Sequence, residues 1–347
     1  MIKIENIKLS CISCCIPGLY EYNKELEEFD EERKQRIIDS TGVNKRPIAI
    51  NSQCTSDFVY EATLNIIRQK NIDLDQIGIL VLVTQTPDYI LPATSCILHN
   101  RLKLNKDTIT FDINLGCSGY IYGLFIASSL LNMTNKSYAL LLAGDTISKF
   151  VGKEDASTRF IFGDAGSATL LEKDCNAEPM IFSLGTDGSG WQNLIIPNGG
   201  SRNKNNRKND IKIDNDGNKR SDDDLYMDGM EIFNFTISTI IPHIQLICDE
   251  YGLPDIVVFH QANKYMLEFM RKNLKIPKDK FLYSLEDFGN TSSASIPLTL
   301  CANSNKSINN KKALLSGFGV GYSYGSAIVD LKETELYNIL TYKDCNE

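Results

Sequence analysis

Three residues of this 347-residue chain have types and settings that suit covalent chemistry: Cys117, His260 and Asn290. Cys117 lies in Phe-Asp-Ile-Asn-Leu-Gly-Cys-Ser-Gly, where an apolar strand pattern ends at a glycine turn and an apolar helix begins. Unpaired N–H groups and the dipole at a helix start favour a thiolate, which predicts a thiol pKa below the free value of roughly 8.5. There are only three histidines, at 99, 243 and 260. His99 and His243 fall within helical patterns. His260 ends the strand pattern Asp255–His260 and is followed by Gln-Ala-Asn, at the carboxyl edge where open α/β sheets place ligand groups. Asn290 sits in Phe-Gly-Asn-Thr-Ser-Ser-Ala-Ser-Ile-Pro, a turn whose amide can donate to a carbonyl oxygen. The glycine-rich run Ser316–Ser326 lacks the lysine of a phosphate loop and is expected to supply backbone N–H groups to an oxyanion.

The elements that must position these residues repeat. Ser56–Lys70 has helical character, and Ile77–Thr84 is a continuous apolar run of the kind that forms a buried parallel strand. Gly229–Tyr251 and Asp255–His260 repeat that order, Phe288–Ala302 corresponds to Phe111–Ile126, and Ala313–Gly319 corresponds to Tyr138–Gly144. Each pair is offset by about 175 residues, so the chain reads as a duplicated α/β unit with halves 1–174 and 175–347. By this repeat the Asn290 loop is the counterpart of the Cys117 turn, and the two should face each other. Asn198–Asp224 is polar and turn-rich and reads as an exposed loop, and the tail beyond Glu333 as a short helix.

Composition narrows the function classes. A net charge of −8 argues against nucleic acid as the main partner. No run approaches the ~18 apolar residues of a membrane span, and the first twenty residues lack the apolar centre of a signal peptide, which predicts a cytoplasmic protein with no membrane association. The ten cysteines are scattered, as suits a reducing compartment. Cys11, Cys14 and Cys15 have no second Cys/His pair at zinc spacing, so they are assigned to a buried strand and no metal or cofactor is expected.

A cysteine, histidine and asparagine also describe papain-like peptidases, so the chemistry alone leaves two classes. In that class the cysteine opens a helix near the mature N-terminus of a secreted, bridged protein, whereas Cys117 lies a third of the way into a duplicated chain. The ordered motifs Ser40-Thr-Gly-Val43, Cys117-Ser-Gly119, Phe162-Gly-Asp-Ala-Gly-Ser-Ala168, Met227-Asp-Gly-Met-Glu-Ile-Phe233, His260-Gln-Ala-Asn263, Gly289-Asn-Thr-Ser-Ser293 and Gly317-Phe-Gly319 resemble β-ketoacyl-acyl-carrier-protein synthase III of the thiolase superfamily, over nearly the whole chain.

The resemblance implies a five-layered αβαβα fold, a homodimer and a ping-pong decarboxylating Claisen condensation, with acyl carrier protein delivering the malonyl group. Cys117 would carry the acyl group, His260 and Asn290 would hold the enolate, the N–H groups of Cys117 and Val320 would form the oxyanion hole, and Phe318 would shape the site. Leu91 stands where the family places a residue at the end of the acyl pocket, contributed across the dimer. The tryptophan and arginine that clamp coenzyme A in the family are replaced by Arg36 and Ser40, and a second arginine by Asp155, while the sole tryptophan is Trp191. Acyl-coenzyme A and acyl carrier protein therefore both stand as candidate donors. The docking arginine after His-Gln-Ala-Asn is replaced by Tyr265, and Lys264, Arg271 and Lys275 form the candidate carrier-docking stripe at helical spacing.

Three rivals are weighed against this reading. A 3-hydroxy-3-methylglutaryl-type synthase needs a glutamate after the second buried strand, where Gln85 and Asp88 stand. An acyltransferase passing the acyl group to an alcohol or amine has less need of the His260/Asn290 pair. A silent acyl-binding partner needs none of the three polar residues.

Overall fold

The computed structural model describes residues 1–204, 210–306, 308 and 311–343. The chain opens with β1 (Ile2–Ile4) and β2 (Ile7–Ile16), then passes β3 (Tyr20–Tyr22), α1 (Glu31–Thr41) and β4 (Lys45–Pro47). A regular run follows: α2 (Thr55–Lys70), β5 (Ile77–Val83), α3 (Thr94–Arg101), β6 (Ile109–Ile113), α4 (Gly119–Asn132), β7 (Tyr138–Asp145), α5 (Ala156–Arg159) and β8 (Ala165–Lys173). After β9 (Met180–Thr186) come the short strands β10 (Leu194–Ile195), β11 (Lys212–Ile213), β12 (Lys219–Arg220) and β13 (Tyr226–Met227). The chain continues through α6 (Gly229–Phe235), α7 (Ile241–Tyr251), β14 (Ile256–Phe259), α8 (Lys264–Asn273), α9 (Leu285–Phe288) and α10 (Ser295–Ala302). It closes with β15 (Lys312–Gly319), β16 (Ser323–Asp330), β17 (Glu335–Leu336) and β18 (Leu340–Thr341).

Two mixed sheets carry the molecule, one ordered β17-β2-β8-β7-β5-β6 with β18 also on β2, the other β1-β9-β16-β15-β14. Within them β5-β7-β8-β2 and β14-β15-β16-β9 have the same pairing, one parallel junction followed by two antiparallel ones. The termini cross over: β1 joins the second sheet, while β17 and β18 join the first.

Burial on both faces explains the unbroken apolar strands. On β5, Leu80 and Leu82 pack outward with Phe58, Ala62 and Ile66 of α2, whereas Ile79, Val81 and Val83 pack inward with Ile121 and Leu124 of α4. The same inner layer holds Ile296 and Leu300 of α10, and Val258 and Leu315 from the second sheet. Val257 and Leu314 face the other way, onto Ile244 and Ile247 of α7 and Leu267 and Met270 of α8. The result is five layers, helices, sheet, helices, sheet, helices: the thiolase-like αβαβα arrangement. Cys11, Cys14 and Cys15 are buried on β2, and the nine described cysteines are free, Cys345 lying outside the described residues.

Local signals account for most boundaries. Asp57 accepts the Cys54 N–H at 2.9 Å, closing a capping box that starts α2. The long helix expected over Gly229–Tyr251 is interrupted by a π-helical turn at Thr236–Ile240, just before Pro242 removes a backbone donor. The tail beyond Glu333 is not helical: its two short stretches pair in parallel with β2, a partner that no local pattern announces. Asn198–Asp224, of which residues 205–209 lie outside the described residues, is tied down as well as exposed. Arg220 pairs with Asp155 and Asp214, and Arg33 of α1 donates to Asn218. No helix among the described residues is long and apolar enough to cross a membrane.

Candidate active site

Cys117 precedes Ser118, the N-cap of α4, so the thiol stands just outside the first turn. It is almost fully buried, and burial pushes its pKa up to about 12, with the Asp145 carboxylate adding to the rise. Hydrogen bonds from the backbone N–H groups of Cys117 itself and Val320 oppose it without reversing it. The expected depression of the thiol pKa is therefore corrected: desolvation outweighs the helix end, and the resting sulfur is a thiol.

The same contacts put the Cys117 and Val320 N–H groups around one point, at the sulfur. A hydroxyl relay holds that geometry. Ser323 Oγ donates to the Val320 carbonyl at 2.7 Å, leaving Ser118 to donate to Ser323 at 2.6 Å, so the turn after β15 is pinned to the start of α4. Glycine is required here. A Cβ on Gly317 would lie 2.6 Å from the Cys117 carbonyl oxygen, and one on Gly319, at φ +158°, would lie 3.0 Å from the sulfur.

His260 follows β14 and extends its ladder, donating its backbone N–H to the Ser316 carbonyl at 2.7 Å. The ring is buried, edge-on to Phe318 with centroids 6.0 Å apart, and its Nδ1 lies 2.7 Å from Ser295 Oγ. Burial pushes its pKa down to about 3, against a smaller opposing pull from the Ser292 carbonyl, so the ring is neutral at physiological pH. Gln261 and Asn263 serve structure: Gln261 bridges the Phe259 carbonyl and the Ser284 N–H, and Asn263 caps α8.

Asn290 is locked by its backbone, donating to the Ile161 carbonyl at 2.8 Å and accepting from the Gly163 N–H at 3.1 Å. Gly289, at φ +63°, lets the two segments close, since a Cβ there would lie 2.4 Å from the Ile161 carbonyl oxygen. The Ser292 N–H donates to Asn290 Oδ1 at 2.9 Å, which fixes the amide with its NH2 end directed away from that bond. Beneath this loop Arg46 is fully buried, paired with Glu21 and donating to Asn23 and to the Phe162 carbonyl.

The three residues therefore meet around the end of β15: Gly317 and Gly319 touch Cys117, Ser316 and Phe318 touch His260, and Ser292 links His260 to Asn290. Sequence reasoning missed Asp145, which ends β7 fully buried. It accepts from the Gln85 N–H at 2.7 Å and from the Ser293 hydroxyl at 2.8 Å, joining the first sheet to the Asn290 loop. A lone acid closing the apolar run Tyr-Ala-Leu-Leu-Leu-Ala-Gly-Asp was the available signal.

Other expected residues lie elsewhere. Leu91 is 80% exposed beside the exposed Tyr89 and Ile90. Arg271 is not a free cation: Glu268, one turn earlier, takes its guanidinium at 2.8 Å and also accepts from Tyr283, and the Arg271 bond first, with Tyr283 helping, holds the Glu268 carboxyl down at about 2. With Lys264, Arg271 lines a groove of about 730 Å³ that also holds Glu268, Glu286 and Asp287, so the docking stripe is mixed in charge there. Lys264 and Lys275 are exposed. Arg36 and Ser40 are exposed on α1, and Asp155 is buried against Arg220.

Comparison with known proteins shows the family. The profile of 3-oxoacyl-[acyl-carrier-protein (ACP)] synthase III matches residues 111–188, and that of its C-terminal part matches residues 254–331. The chain is 32% identical over 341 residues to a beta-ketoacyl-[acyl-carrier-protein] synthase III of Clostridium perfringens, covering 94% of this chain and all of the relative. It is also 32% identical to that of Fusobacterium nucleatum, covering 94% and 99%. The crystal structure of 3-oxoacyl-(acyl-carrier protein) synthase from Burkholderia xenovorans superimposes with a TM-score of 0.92 at 32% identity, covering 98% of each chain. The chain belongs to the 3-oxoacyl-[acyl-carrier-protein] synthase III family.

Proposed function

We propose that this protein is a 3-oxoacyl-[acyl-carrier-protein] synthase III that works through Cys117, His260 and Asn290. The observation that carries the assignment is the meeting of a buried thiol, a neutral imidazole and a fixed amide around the end of β15.

In the first half-reaction the Cys117 sulfur attacks the carbonyl of an acyl thioester. Because the thiol starts protonated, its proton must leave as the bond forms, and the departing thiolate of the donor is the acceptor that balances the exchange. The tetrahedral oxyanion lies between the Cys117 and Val320 N–H groups, already turned toward that point. In the second half-reaction a malonyl thioester on acyl carrier protein loses carbon dioxide. The C–C bonding pair becomes an enolate, whose oxygen accepts from His260 and Asn290. The carbanion attacks the acyl carbonyl, the C–S bond to Cys117 breaks, and the sulfur takes a proton from water as the 3-oxoacyl chain leaves on the carrier.

The donor in this reading is acyl carrier protein or acyl-coenzyme A, with the former favoured by the Asp155–Arg220 pair where the family's second arginine would stand. Carrier docking is assigned to Lys264 and Lys275, with Arg271 committed to Glu268. A homodimer is supported by the exposed Tyr89-Ile90-Leu91 run and by β6, an edge strand paired among the described residues only with β5, and Leu91 of one protomer would close the partner's acyl pocket. The halves divide near residues 174 and 175, and the free cysteines favour a cytoplasmic setting.

Intact-protein mass spectrometry with panels of acyl-coenzyme A and acyl carrier proteins tests the nucleophile. One acyl group per chain is expected on the native protein and none on Cys117→Ala, and equal labelling of the variant would remove Cys117 from the mechanism.

A further inference from the structure

The neutral His260 ring carries one proton, and only one of its two tautomers can donate from Nε2. Its Nδ1 lies 2.7 Å from the Ser295 hydroxyl oxygen. Ser295 is the first residue of α10 and is buried, and among the described residues its hydroxyl has no other hydrogen-bond partner. If Nδ1 held the proton and donated to Ser295, the serine's own proton would be left unpaired inside the protein, a costly arrangement. If Ser295 donates to Nδ1, both atoms are satisfied and the ring proton sits on Nε2.

We propose that Ser295 is a positioning residue whose hydroxyl donates to Nδ1 of His260 and holds the ring as the Nε2–H tautomer, the neutral form able to donate to the enolate oxygen. The inference rests on the condensing reading of the site. It also gives the loop after β14 and α9 a double task. Asn290 supplies one donor directly, and Ser295, five residues on, decides which nitrogen supplies the other.

Protein labelled with ¹⁵N in the histidine rings tests this directly, with the His260 signals assigned by their loss in His260→Ala. The expected pattern in the native protein is Nε2–H, and an Nδ1–H pattern overturns the proposal. In kinetics, Ser295→Ala should label Cys117 with acyl groups within about twofold of the native rate while condensation with malonyl carrier protein slows roughly 10- to 100-fold. Ser295→Thr, which keeps the hydroxyl, should recover most of that loss. Native condensation by a Ser295→Ala protein that labels normally overturns the proposal. Failure of the underlying reading looks different: His260→Ala would then condense as well as the native protein, whatever tautomer the spectrum shows.

Discussion

The Cys117 turn and the Asn290 turn occupy equivalent places in the two halves, yet they are built by opposite means. Around Cys117 the chain clears space: Gly317 and Gly319 bring bare backbone against the cysteine, and the polar work falls to main-chain N–H groups. Around Asn290 the chain adds side chains. Asp145 holds Ser293, Ser292 holds the Asn290 amide, Ser295 holds His260, and buried Arg46 supports the loop from below. In the proposed reaction the first turn would receive the acyl group and the oxyanion formed on it, while the second would fix two donors on the enolate. The two sheets share a strand-pairing frame, and the two turns differ in what is packed against them.

The comparison breaks first if the two turns do not separate the two half-reactions. Asn290→Ala and His260→Ala should each lower condensation by roughly 10²- to 10³-fold while leaving acylation of Cys117 within a fewfold, read by malonyl-dependent product formation and by intact mass. Equal losses in both steps would merge the two roles. Next in size is Arg46→Met, which leaves Glu21 its pairing with Arg159 but takes the buried donor from Asn23 Oδ1 and the Phe162 carbonyl, and is expected to cost about 2–4 kcal/mol of stability by denaturant titration. A change under 1 kcal/mol would show that the Asn290 turn does not depend on its buried cation.

Smaller effects sharpen the electrostatic contrast. Alkylation of Cys117 by iodoacetamide should rise about tenfold per pH unit from pH 7 to 9, because burial keeps the sulfur protonated up to about 12, and a plateau below pH 8 would mean a preformed thiolate. His260 acts with the opposite sign. Its folded pKa of about 3 lies below the ordinary value of 6.5, so between those values the unfolded chain binds more protons, and this contribution to stability is lost as pH falls through that window. Asp164, raised by burial to about 6, works against it, since its folded form holds a proton the unfolded chain has already released. The stability gap between native protein and His260→Gln isolates the histidine. It should widen from pH 4 to 6.5 and then stay level.

The candidate side chains could be picked out of the sequence because each sits at a strand end or turn marked by local residues: Gly116 before Cys117, Gln261 after His260, Gly289 before Asn290. The paired sheets were legible because apolar runs such as Ile77–Val83 state their burial on both faces. What local pattern does not contain is the surroundings. The helix start beside Cys117 suggested a low thiol pKa, but burial raises it, and Gly317 and Gly319, which lie against the cysteine, are about 200 residues away in sequence. The last strands looked helical because their partner, β2, lies more than 300 residues away in sequence. Arg271 looked free only because cations were counted without the acid three residues before it.

The most direct test loads Cys117 with an acyl group, removes excess donor, and adds malonyl carrier protein in a single turnover. The account predicts that the acyl group leaves Cys117 as carbon dioxide is released in equal amount and a 3-oxoacyl carrier protein forms. Transfer of the acyl group to water, an alcohol or an amine, with the malonyl group intact, would contradict it.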